Sequence, residues 1–107
     1  MSRLVYRYVF PESVPVEDIE SSIVLAIFGV EALHGEAQVR LDAAHFLDEA
    51  ERKCVIDAST PVGRDLNRLF AGLMLREFGE NAFRVTRIQH ADEPKPTERD
   101  CNSNGDV

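Results

Sequence analysis

"AQVRLDAAHFLDEAERKCVIDAS" (Ala37–Ser59) is the stretch on which the fold turns. In its first part Val39, Leu41 and Ala43 alternate with Arg40, Asp42 and Ala44, the period-two pattern of a half-buried strand. Its last part alternates Cys54, Ile56 and Ala58 with Val55 and Asp57. Between the two, Asp48–Lys53 is a polar turn, and so short a connection joins neighbouring strands antiparallel. The spacing therefore predicts two strands, Ala37–Glu49 and Lys53–Ser59, forming a hairpin in the middle of the chain.

The flanking segments follow from this hairpin. On its N-terminal side, Arg3–Phe10 is aromatic, β-branched and alternating, which predicts a strand stopped by Pro11. Val16–His34 is rich in helix formers, with Ser13 or an early acid as its cap. Glu17, Asp18 and Glu20 suit its positive end, and Gly35 suits its stop. On the C-terminal side, Ser59 or Thr60 caps a second helix with Pro61 in its first turn. Leu66, Leu69, Phe70, Leu73 and Phe78 share one face of that helix, and Gly79 ends it. Asn81–Ile88 is a fourth strand. From Gln89 the chain is polar and proline-containing, the composition of a disordered tail. The reading is one domain over residues 1–88 and a tail over residues 89–107.

Strand–helix–strand–strand–helix–strand is an α+β order, and it resembles the ferredoxin-like βαββαβ arrangement. Right-handed crossovers then predict a four-stranded antiparallel sheet in the order 4-1-3-2, with two helices on one face. That arrangement hosts many unrelated functions, so function has to be read from particular residues.

Composition narrows the classes. The net charge of −7 opposes a nucleic-acid backbone as partner. The longest apolar run, Ile23–Val30, has eight residues, where a bilayer span needs roughly 18. The first residues lack the apolar core of a secretory leader, and the expectation is a cytoplasmic chain. Two cysteines make no disulfide framework: Cys54 reads as a small core residue and Cys101 falls in the tail. With no CxxC and no Cys/His pair at zinc spacing, no metal or other cofactor is expected.

Alternation also assigns the two sides of the sheet. Leu4, Tyr6, Tyr8, Phe10, Val39, Leu41, Ala43, Cys54, Ile56, Ala58, Phe83 and Val85 are expected toward the helices. Val5, Arg7, Val9, Arg40, Asp42, Phe46, Val55, Asp57, Arg84, Thr86 and Ile88 are expected on the open face. Across the strands this gives the charge series Arg84, Arg7, Asp57, Arg40, Asp42, with Val5, Val9, Val55 and Ile88 among the charges. Such a surface suits a solvated ladder of cross-strand pairs or an interface, in particular a symmetric homodimer with arginine–carboxylate pairs between subunits. The first helix is apolar almost all round. Ile19, Ile23, Ile27 and Val30 supply its inward stripe, while Leu25 and Phe28 need cover from the second helix or from a partner.

Chemistry-bearing residues gather at one corner, "VIDASTPVGRDL" (Val55–Leu66), where a strand runs into a helix. Thr60 fits a helix cap. The free amides of that first turn, with Gly63, Arg64 and Asp57, also fit a small-anion site. Ser59 and Thr60 are nucleophile types with no base nearby in sequence, and His34 and His45 read as structural. Asp42 and Asp57 are the carboxylates expected to share a surface, where neighbouring arginines keep them ionised and compete with a cation. The expectation is a non-enzymatic interaction module that self-associates and binds a partner protein through its sheet face. The alternative is an anion- or phosphoester-binding domain, with or without catalysis, built on Thr60, Gly63, Arg64 and Asp57.

Overall fold

A computed structural model describes residues 3–90. The first strand, β1 (Arg3–Val9), leads through a proline-containing loop into helix α1 (Val16–His34). A short helix α2 (Glu36–Asp42) follows at once, then the hairpin β2 (His45–Asp48) and β3 (Lys53–Asp57). Helix α3 (Pro61–Phe78) and strand β4 (Arg84–His90) complete the described residues. The architecture is α+β: four antiparallel strands in the order β2-β3-β1-β4, which is the succession 4-1-3-2 read from the other edge. No helix of the described residues is long and apolar enough to cross a membrane.

The stretch 37–49 corrects the sequence reading. Its first half is helical, so the described residues form three helices rather than two, and β2 keeps only four residues. Propensity and local pairing outweigh the apparent alternation here. Glu36, Ala37, Gln38, Arg40 and Leu41 are good helix formers. Glu36 accepts from Arg40 at 3.3 Å and Asp42 accepts from Gln38 at 2.6 Å, both one helical turn apart. Gly35, at φ 90°, supplies the break that lets α1 stop and α2 begin in a new direction. On a helix, residues 39 and 41 diverge by about 200°. Val39 is accordingly buried, while Leu41 is 78% exposed.

The core lies between the sheet and α1 and α3. Tyr8, Phe10, Cys54 and Ile56 meet Ile19, Ile23, Ala26 and Val30 from α1 and Val62, Leu66, Phe70 and Met74 from α3. Tyr8 packs edge-to-face on Phe70 at 4.9 Å, and its hydroxyl donates to Asn67 Oδ1 at 2.5 Å. Burial raises the pKa of this phenol and takes the Cys54 thiol up to about 12, so Cys54 is a packing residue rather than a nucleophile. Tyr6 packs at the core margin.

Arg52, in the β2–β3 turn at φ 57°, ties the hairpin to the β1–α1 loop. Its guanidinium donates to the carbonyls of Pro11 and Val14, and its own carbonyl accepts from Phe10 N at 3.0 Å. The start of α1 differs from expectation as well: Pro15 occupies the cap position with no side-chain hydrogen bond, so Ser13 does not cap it. Strand β4 runs two residues past the expected boundary at 88, pairing Gln89 with Leu4 and His90 with Arg3. The rest of the expected tail lies outside the described residues.

Candidate functional site

Strand pairing sets the side chains of the open face in rows, because residues directly opposite in an antiparallel pair share a face. One row is Thr86–Arg7–Val55–Phe46 across β4, β1, β3 and β2. A second is Ile88–Val5–Asp57, and Asp57 N donates to the Ala44 carbonyl at 3.0 Å. A third is Arg84–Val9–Lys53–Asp48. The alternating rows, Val85–Tyr8–Cys54–Leu47 and Arg87–Tyr6–Ile56–His45, point to the helix side. Alternation along β1, β3 and β4 thus placed Val5, Arg7, Val9, Val55, Asp57, Arg84, Thr86 and Ile88 on the side where they lie.

Arg40 and Asp42 are not on this face. Both belong to α2, Arg40 in an exposed pair with Glu36 and Asp42 bonded to Gln38. Asp42 therefore does not join Asp57 in a carboxylate pair, and the expected charge series loses its last two members. Lys53, Asp48 and Arg3 stand on the face in their place, beside Phe46, which was expected there. Arg3 shares the parity of Arg7, and that parity was the signal that could have found it.

Four cations (Arg3, Arg7, Lys53, Arg84) and two anions (Asp48, Asp57) now frame an apolar strip of Val5, Val9, Val55, Ile88 and Phe46. Phe46 is 64% exposed, whereas Val5 is 8% exposed although no helix lies over it. Neighbours on its own face enclose it. Arg3, Ala44, Phe46, Val55 and Asp57 line a shallow depression of about 360 Å³ with Val5. Asp57 is held by Arg3 at 3.1 Å, and among the described residues Arg7 and Arg84 have no ion-pair partner.

The corner after β3 is built differently. Thr60 Oγ1 accepts from Gly63 N at 2.9 Å and donates to the Asp42 carbonyl at 3.2 Å, which caps α3 and fastens the end of α2 to it. Asp57 Oδ1 accepts from Ser59 N at 2.9 Å, and Ser59 Oγ accepts from Leu4 N at 2.9 Å. Burial alone would raise the Asp57 carboxyl, but the hydrogen bonds from Ser59 and Arg3 and the Arg3 charge hold it below its usual range. Gly63 sits so close to β3 that a Cβ there would lie 2.1 Å from the Asp57 carbonyl oxygen. Its lack of a side chain is a packing requirement. Arg64 alone of the four corner residues points to solvent unengaged by the described residues. His34 bonds Asp65 at 2.8 Å between α1 and α3, and His45 lies on the helix side of β2 with its pKa lowered by burial.

A third surface, expected to be covered by the second long helix or by a partner, is not covered by the described helices. Helix α3 leaves the outer side of α1 bare: Val24 is 46%, Leu25 55% and Phe28 61% exposed. Beside Val24 and Leu25 a groove of about 780 Å³ runs between α1 and β2, edged by Glu17, Glu20 and Glu49. Glu20 and Glu49 are within hydrogen-bonding reach of each other. That contact and the charge of Glu49 raise the Glu20 pKa.

No protein-family model matches the chain, and comparison with curated proteins finds no match.

Proposed function

We propose that this chain is a non-enzymatic interaction module of ferredoxin-like βαββαβ topology, working through the open face of its sheet and able to self-associate. The observation that carries this reading is the row Thr86–Arg7–Val55–Phe46, in which an exposed aromatic and an unpaired arginine flank a valine with no described element above them. Apolar centres with arginine and aromatic side chains are what protein interfaces enrich. Once Arg40 and Asp42 leave the face, basic groups outnumber acidic ones. Two such faces brought together about a two-fold axis would oppose like charges, so the favoured partner surface is acidic and apolar.

Sedimentation velocity of the wild type and of Arg7→Glu tests the reading. Arg7 is exposed, so the substitution should change folding stability by no more than about 0.5 kcal/mol while weakening association at least tenfold. Unchanged association would place the interface elsewhere.

Anion binding at the Thr60, Gly63, Arg64 and Asp57 corner is the second reading, and the exposed Arg64 beside the start of α3 favours it. Against it, Gly63 N is already capped by Thr60 and Asp57 brings a carboxylate to the same place. Melting with and without sulfate or phosphate decides: stabilisation that disappears in Arg64→Ala supports the corner, and no shift with either anion removes it.

A further inference from the structure

The surface that matches the sheet face is present on the same chain. Helix α1 carries Glu17, Asp18, Glu20 and Glu31 and no lysine or arginine. Its outward side sets Glu17 and Glu20 beside the exposed Val24, Leu25 and Phe28, and Glu49 closes the far edge of the groove against β2. An acidic margin around an apolar stripe meets, on the sheet, a basic margin around an apolar strip. The two surfaces share no residue: the groove lies on the helix side of β2, beside His45 and Leu47, while Phe46 and the apolar strip lie on the open side of the sheet.

We propose that the occupant of the sheet face is the α1 side of a second copy of this chain, so that the protein assembles head-to-tail. The inference rests on the sheet face being the working surface and adds what docks there. Arg7 and Arg84, unpaired among the described residues, approach the Glu17, Glu20 and Glu49 edge of the next copy. Phe46, Val55 and Val5 meet Val24, Leu25 and Phe28. A cation arriving between Glu20 and Glu49 relieves the repulsion of two carboxylates held together on the isolated chain. Because the two contact surfaces differ, each bound copy leaves one of each kind free. Assembly then continues to a ring or an open filament instead of stopping at a two-fold dimer.

Two charge-reversed forms of the full chain test this. Arg7→Glu/Arg84→Glu blocks the sheet side, and Glu17→Lys/Glu20→Lys blocks the α1 side. All four positions are on the surface, and melting curves confirm that each form is folded. In sedimentation velocity the wild type should grow in mass with concentration. Each blocked form alone should stay at the 12.0 kDa of one chain. An equimolar mixture of the two should grow in mass again, since the native sheet face of one form meets the native α1 side of the other and the two reversed surfaces complement each other. The form carrying all four reversals should associate again, its charges being exchanged on both sides.

If the α1-blocked form associates as the wild type does while the sheet-blocked form does not, the sheet face stands and head-to-tail assembly is overturned. If the sheet-blocked form associates normally, the sheet-face reading itself falls. A wild type that is monomeric at every concentration overturns the second copy as occupant and leaves the face to another protein or to the chain's own C-terminal residues.

Discussion

The corner after β3 and the open face of the sheet share Asp57, yet they use polar side chains in opposite ways. At the corner the polar groups other than Arg64 are bonded to the chain: Thr60 to Gly63 and Asp42, Ser59 to Leu4, Asp57 to Ser59 and Arg3. On the face, Arg7, Arg84 and Phe46 have no comparable engagement among the described residues. A region whose donors and acceptors answer one another inside the fold has little left for a ligand. One that leaves arginines and an aromatic ring around a buried valine retains that capacity.

Gly63→Ala is the hardest test of the corner as a folding element. The new methyl would meet backbone rather than a movable side chain, so β3 and α3 must separate. The expected loss is about 3 kcal/mol, read as a lowered denaturation midpoint. A neutral effect would mean that the corner is loose and differs less from the face in how tightly it is built.

Asp57→Asn comes next and tests the residue the two regions share. A carboxylate whose folded pKa is depressed stabilises the protein above its unfolded value near 4, and that contribution is lost as pH falls through the folded pKa. With Arg3 largely exposed and the pair screened by solvent, the loss at pH 7 should be about 0.5–1 kcal/mol. Melting curves of wild type and variant should converge in acid. A gap that persists at low pH would assign the role of Asp57 to shape instead of charge.

Glu49→Gln has the smallest effect and the opposite sign. Glu20 is raised in the fold by its contact with Glu49, so the fold binds its proton more tightly than the unfolded chain does. Such a group favours folding in acid, and that advantage is lost as pH rises through its folded pKa. Removing the Glu49 charge should raise the melting temperature slightly at pH 7 and leave it unchanged in acid. A lower melting temperature at pH 7 would mean that Glu49 holds β2 and α1 together.

Much of this was legible in the chain itself. The alternation of Val5–Arg7–Val9 against Tyr6–Tyr8–Phe10 assigned both faces of β1, and Thr60–Pro61 announced the start of α3. The hairpin was legible from the polar turn, although β2 proved far shorter than the alternation implied. What failed was the reading of Arg40 and Asp42, because three apolar residues at period two over five positions do not separate a strand from a one-sided helix. The i,i+4 pairs Glu36–Arg40 and Gln38–Asp42 were the better signal, and they require a helical reading before they mean anything.

The sequence by itself determined the order of the four strands and the two long helices, the side to which most strand residues point, and the identity of the helix caps and stops at Thr60, Gly35 and Gly79. These are local matters, governed by φ/ψ preference, by capping and by a repeat of two or 3.6 residues. Only the tertiary structure decided that Gly63 is bare because Asp57's carbonyl lies against it. It also decided that Arg3 answers Asp57, and that α3 leaves Leu25 and Phe28 uncovered. Each depends on which residues distant in sequence come within a few ångströms. Such contacts follow from how whole elements pack, and no local pattern encodes them.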